Sequence, residues 1–211
     1  MPEQHRFAPG FALVLVGFGS AEEHAAVAAG VRAAMPPLFD LVTPIPYTAL
    51  QRMFDESAPW GVRAYEKALY LDELTDGAID VFVEHLPRKQ SPLSIAPVFV
   101  LDGAYASVGA DETAFGGDRT ARVVFNISGH APVPELYEPE RAWVRAFWDA
   151  LRPHAGGAGS YVNFIAEPDD DRVRASYGPA KYARLAAIKA TYDPDNVFHR
   201  NANIRPAAPP G

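Results

Sequence analysis

Apolar positions along the chain fall in short runs separated by turn formers, and their spacing distinguishes strands from helices. The run FALVLVGF, Phe11 to Phe18, is continuously apolar and predicts a buried strand. Ser20-Ala21-Glu22-Glu23 follows with the S-x-x-E form of a capping box, and Val27, Val31 and Met35 recur at a spacing of four until Pro36-Pro37. That pattern predicts a helix laid back on a sheet. LFDLVT, Leu38 to Thr43, predicts the next strand, PIPYTALQRMFD a short helix, and the alternating VRAYEKALYL, Val62 to Leu71, another strand. A helix is expected over Asp72 to His85.

Ser94 to Asp102 and Thr120 to Ser128 are rich in Val, Ile and Phe, and the loop between them carries Gly103, Gly109, Gly116 and Gly117. They are expected to pair as antiparallel neighbours. Pro139 stands at the first residue of a helix whose stripe is Trp143, Phe147 and Leu151, with Ala146 and Ala150, down to Pro153. SYVNFI, Ser160 to Ile165, is a further strand candidate, and Pro179 opens a last helix with Tyr182, Leu185, Ile188 and Tyr192 on one face. With about six strands, about five helices, no repeat and no linker, the expected fold is one α+β domain over residues 1–211. Its antiparallel sheet of about six strands has helices packed mainly on one face.

Composition narrows the function classes. The chain has 211 residues, 48% hydrophobic and 21% charged, enough for one substantial core. A formal net charge of -7, with no basic cluster longer than Arg88-Lys89, argues against a nucleic-acid partner. The longest apolar run falls well short of the roughly 20 residues of a membrane helix, so no membrane partner is expected. The absence of cysteine removes thiolate and disulfide chemistry and is compatible with a cytoplasmic location.

Common catalytic signatures are missing: there is no G-x-S-x-G, H-E-x-x-H, phosphate loop or G-x-G-x-x-G after a strand. The six histidines lack metal-ligand spacing and read as surface or capping residues, and Asp169-Asp170-Asp171 reads as a solvated turn. Tyr161 and Asn163, at i and i+2 of a strand, project to one face and present a phenol and a carboxamide together, although such pairs also occur in ordinary half-exposed sheets.

Four separated motifs carry a family resemblance. YGPAKYARLAAIKATYDPDNVFHRNANI resembles the C-terminal signature of berberine bridge enzyme-like FAD-linked oxidases, and SYVNF resembles that family's Tyr-x-Asn strand. PIPYTALQRMFDESAPWGVRAYEKALYLDEL and TAFGGDR resemble its Pro-Tyr to Tyr pattern and its Thr-Ala-Phe-x-x-Arg segment, in the same order. The resemblance implies the substrate-binding half of such an enzyme, with a C-terminal berberine-like segment at about 160–206 and no N-terminal FAD-binding domain. It implies FAD as cofactor and a terminal segment that docks on the flavin domain. By the same resemblance Tyr161 and Asn163 are flavin-proximal, Asn196, Asn201 and Asn203 approach the cofactor side, and Asn126 stands near a catalytic or substrate-facing position. An amide takes up no proton at neutral pH, so the base role passes from Asn126 to Tyr161 or to a group outside the chain. FGGDR in place of Phe-Pro-His-Arg and His130 in place of a frequent tryptophan are departures from the family pattern.

Three readings follow. The chain is the substrate half of an FAD-dependent oxidase of alcohols, sugars or secondary metabolites, working with a separate FAD-domain protein. Alternatively it is a cofactor-free small-molecule enzyme or binding protein, or an interaction module without chemistry. A homo-oligomer or a flavin-domain partner is expected under each, because the face once buried against the flavin half is apolar.

Overall fold

The architecture is that of a computed structural model describing residues 2–5, 10–55, 59–117, 119–156, 161–164, 170–200 and 202–208. The chain divides into two compact units, Met1–Gly61 and Val62–Gly211.

In the first unit the capping box forms as expected. Ser20 Oγ accepts from Glu23 N at 3.2 Å while Glu23 Oε2 accepts from Ser20 N at 2.9 Å, opening helix α1, Ala21–Ala34. A short helix α2 covers Tyr47–Gln51. The strands expected at Phe11–Phe18 and Leu38–Thr43 do not form: both segments lack regular structure, and Phe11 (77%) and Leu38 (85%) stand exposed. An apolar run has strand character only when a neighbouring chain supplies the ladder, and neither run finds one within this unit among the described residues.

The second unit holds a three-stranded antiparallel sheet of order β1-β3-β2, with β1 at Arg63–Leu71, β2 at Val98–Val100 and β3 at Val123–Ala131. The expected pairing of the β2 and β3 regions is present. Of the six strands read from the sequence, the described residues show three, because SYVNFI also fails: Val162–Phe164 is a single 3-10 turn, and Ser160 and Ile165 lie outside the described residues. In register, Tyr65 faces Gly129, Leu69 faces Phe125 and Leu71 faces Val123 across β1 and β3. These side chains share one face, where helices α3 (Asp76–His85, capped by Thr75 Oγ1) and α5 (Tyr137–Leu151) complete the core with Ala78, Trp143, Val144, Phe147 and Leu151.

Helix α5 starts two residues before Pro139, and its buried face runs through Glu140, Val144 and Phe147, while Ala146 of the expected stripe is exposed. The helix crosses β3 closest at Gly129, where a Cβ would lie 2.9 Å from Val144 Cγ2 and 3.1 Å from the Glu140 carbonyl oxygen. Backbone cannot yield as a side chain can. Gly129→Ala is therefore expected to lower the unfolding free energy by about 1–3 kcal/mol, as overpacking does, measured by urea denaturation.

The short helix α4 (Ala104–Ser107) lies in the glycine-rich loop. Of the acidic run, Asp170 and Asp171 start a helix instead of a turn, occupying the first turn of α6, Asp170–Tyr177, where carboxylates complement the helix dipole, and Asp169 lies outside the described residues. Pro179 opens α7, Pro179–Tyr192, as expected. The terminal segment turns back along α7, with Ala207 N donating to Ala186 O at 3.0 Å and Ala202 and Ile204 packing on Val173, Tyr182 and Ala186.

Candidate functional site

The period-two pleat gives the sheet a second face, opposite α3 and α5, and it is chemically divided. On it stand Val124, Asn126, Ser128 and His130 of β3, opposed by Tyr70, Ala68, Glu66 and Ala64 of β1.

One end is aromatic. Tyr70, Val124, Ala68 and Ala121 pack with Leu101, Tyr161 and Phe164. The Tyr161 ring meets Phe164 edge-on at 5.0 Å and Phe115 at 5.5 Å. Arg119 lies over the Phe115 and Tyr105 rings, 4.6 and 5.0 Å from their centroids, and donates to Tyr105 O and Thr113 Oγ1 at 3.0 Å each. Gly117 permits this packing: a Cβ there would come within 2.2 Å of the Phe115 ring and 2.5 Å of the Tyr70 hydroxyl. Burial, with Tyr161 as the lesser cause, pushes the Tyr177 phenol above its ordinary value.

The other end is polar. Ser128 Oγ lies 2.6 Å from Glu66 Oε1 and 2.9 Å from His130 Nε2. His130 Nδ1 is 2.9 Å from the Leu93 carbonyl, which can only accept, so Nδ1 carries a hydrogen. Leu93 is held from below by a buried carboxylate: Glu140 accepts from Gln90 N and Ser91 N at 2.7 Å each and from Ser94 Oγ at 2.5 Å, and Ser94 Oγ in turn accepts from His130 N at 2.9 Å. Lys89 Nζ donates to Ser94 O at 2.6 Å, and burial pulls its ammonium below the ordinary lysine range against the opposing pull of Glu140. Between the two ends Asn126, 6% exposed, has an Oδ1 without a partner. A buried carbonyl of this kind is an open acceptor.

The structure brings three of the expected residues together. Asn163 Nδ2 donates to the Tyr161 hydroxyl at 2.7 Å, and Tyr161 packs against the cluster that contains Ala68, the cross-strand partner of Asn126. The pair meets across a 3-10 turn and not along a strand. Asn196 and Asn203 hang on α7 with the terminal segment, and among the described residues neither is hydrogen-bonded to Tyr161 or Asn163. Asn201 lies outside the described residues. Asn196 takes the left-handed conformation, φ 51, in the turn that Asp193 ties by accepting from Val197 N at 2.7 Å and Phe198 N at 3.1 Å.

Glu66, Ser128 and His130 were missed as a group. Their signal is the alternation Asn126, Ser128, His130 set against Phe125, Ile127 and Gly129, but it becomes a site only once β1 and β3 are placed in register.

Residues 160–205 match the family model described as berberine and berberine like. That match covers the C-terminal segment of the chain. An FAD-linked oxidoreductase of Dictyostelium discoideum is 22% identical over 171 residues, which is 81% of this chain and 37% of that protein. The fold matches 6-hydroxy-D-nicotine oxidase of Arthrobacter nicotinovorans with a TM-score of 0.72 at 20% identity, covering 90% of this chain and 43% of that one. It matches berberine bridge enzyme of Eschscholzia californica at a TM-score of 0.68 and 18% identity, over 88% of this chain and 44% of that one. The chain thus spans less than half the length of these relatives. No helix among its described residues is long and apolar enough to cross a membrane.

Proposed function

We propose that this chain is the substrate-side portion of an FAD-dependent oxidoreductase acting on an alcohol or amine, and that a flavin-binding domain joins it to form the complete site. The observation that carries the reading is the divided second face of the sheet, on a fold shared with 6-hydroxy-D-nicotine oxidase over 90% of the chain and in a sequence that an FAD-linked oxidoreductase matches over 81% of it.

The residues present suit the ring end of the cofactor. The half-buried Tyr161 phenol, its Asn163 partner and the open Asn126 Oδ1 offer an aromatic surface and hydrogen-bonding groups to a planar heterocycle or to the substrate beside it. When bound, FAD supplies a hydride acceptor. The chain's own residues do the rest. Asn126 Oδ1 orients a substrate O–H or N–H, the aromatic end excludes water, and Glu66 takes the proton that Asn126 cannot. This moves the base from Tyr161 or a group outside the chain to a carboxylate across the sheet from Ser128. Substrates of the sugar, phenolic-alcohol or secondary-metabolite classes suit such a face.

The test is visible spectroscopy of the purified chain, alone and mixed with the FAD-binding domain of a berberine-like oxidase. A flavin band that co-elutes with the mixture is the expected result. Tyr161→Phe and Asn163→Ala, each removing one hydrogen bond, are expected to weaken flavin retention about 3- to 10-fold. A colourless protein that binds or converts a small molecule without flavin would favour the cofactor-free reading.

A further inference from the structure

Ser128 owns one hydroxyl hydrogen and faces two acceptors. Glu66 Oε1 lies 2.6 Å away and His130 Nε2 2.9 Å away, while the same Glu66 oxygen is 4.0 Å from Nε2, too far for a direct hydrogen bond. His130 Nδ1 is already committed to the Leu93 carbonyl. If Glu66 is ionised and His130 neutral, the serine can satisfy only one neighbour. If both are protonated, two donors converge on Oγ and the serine hydrogen has no acceptor within the group.

One shared proton removes the conflict, in either of two arrangements. With His130 cationic, Nε2–H donates to Ser128 Oγ and the serine hydroxyl donates to the Glu66 carboxylate. With Glu66 protonated, its O–H donates to Oγ and the serine hydroxyl donates to Nε2. Every donor and acceptor is used in both. Ser128 is 2% exposed, so water does not replace a missing partner easily.

We propose that Glu66, Ser128 and His130 form a proton relay that carries away the proton taken from substrate; this rests on the flavin-linked reading above. In the transfer the Glu66 O–H bond breaks as a Ser128 Oγ–H bond forms, and the original Oγ–H bond breaks as Nε2–H forms. Glu66 returns to a carboxylate, His130 becomes a cation, and no electron changes hands. Glu66 is ready for another substrate once His130, whose side chain is 14% exposed, gives its extra proton to solvent. Ser128 and His130 act through Glu66, and Glu140 is a positioning residue: by anchoring Gln90 to Ser94 it keeps the Leu93 carbonyl on Nδ1 and so turns Nε2 toward the serine. Glu140 from α5 and Lys89 from the loop after α3 are charged groups that also reach this network.

The test needs no flavin. The ring 15N resonances of His130 are recorded for the whole chain as wild type, Glu66→Gln, Ser128→Ala and the double variant. Glu66→Gln is expected to move the His130 signals, and Ser128→Ala to remove most of that response. A response of equal size in both serine backgrounds shows that Glu66 acts on His130 through space, which overturns the relay. An unmoved His130 in Glu66→Gln overturns it as well. Glu66 is partly exposed, so its variant tests the idea even if Ser128→Ala fails to fold. The outcomes separate from the flavin reading: intact coupling with no flavin uptake by the two-domain mixture sinks that reading and leaves the shared proton standing.

Discussion

Replacing Glu140 with alanine is expected to destabilise the second unit by about 3–5 kcal/mol, since removing an acceptor strands buried donors at their full desolvation cost. Three donors lose their partner at once: Gln90 N, Ser91 N and Ser94 Oγ. The space left by a fully buried side chain adds to this, although alanine keeps the Cβ beside Gly129. Glu140→Gln retains one acceptor oxygen and should recover part of the loss. The variant also carries a pH signature through Lys89. Burial already holds its ammonium below the ordinary lysine value, and Glu140 is what opposes that. Without the carboxylate the folded-state value drops further, so the unfolded chain binds more protons than the folded one over a wider window below about 10.4. Stability therefore rises more steeply with pH in Glu140→Ala, and the gap to wild type narrows toward that value. Urea midpoints at neutral and alkaline pH measure both effects; a constant gap would assign the loss to the three donors and the emptied space alone.

How much of this was legible in the sequence depends on how local each signal is. The Ser20 capping box, the proline opening α7 and the alternation of β1 are decided within a few residues, and the structure contains all three. The failures are those that depend on a partner. FALVLVGF and LFDLVT have strand composition, yet hydrogen-bond ladders are properties of pairs, and the described residues of the first unit supply no second strand. SYVNFI was read by its period, but its described part closes a turn through Phe164 N donating to Tyr161 O at 2.9 Å. The acidic run was read by charge, and its place at a helix start was overlooked.

The site divides the same way. Tyr161, Asn163 and Asn126 came from a linear resemblance, and they lie on or against one sheet face. Glu66 is separated from Ser128 by 62 positions, and only the register of β1 on β3 makes them neighbours. His130 looked like a departure from the family pattern because its meaning lies in the Leu93 carbonyl and the Ser128 hydroxyl, neither of which a motif encodes. The terminal segment behaves in both ways at once. Ala202 and Ile204 are ordered against α6 and α7, whereas Tyr192, Val197 and Phe198 stand 84%, 66% and 82% exposed on the turn tied by Asp193.

A loss of the same size is expected from Phe147→Ala, about 3–5 kcal/mol, the usual cost of emptying a phenylalanine site in a core. Phe147 is wholly buried and its ring sits among Phe82 at 5.5 Å, Trp143 at 5.9 Å and His85 at 5.4 Å, the last stacked at 17°. Neighbours on both the α3 and α5 sides limit collapse, since Trp143 is fixed by its indole N–H donating to His85 O at 2.8 Å. The His85 ring gives the variant a second readout. Burial, with Arg88 adding to it, holds His85 below its ordinary 6.5. Wild-type stability is then full above that pH and declines as pH falls from it toward the folded-state value, because the unfolded chain takes up a proton that the folded chain refuses. Removing the stacked ring admits water to the imidazole and moves it back toward 6.5. Phe147→Ala should therefore be far less stable at neutral pH and show a flatter acid limb, both read from urea midpoints across the acid range. An acid limb as steep as wild type would mean that the stacked ring is not what keeps His85 neutral, and Arg88→Ala would then be the variant that flattens it.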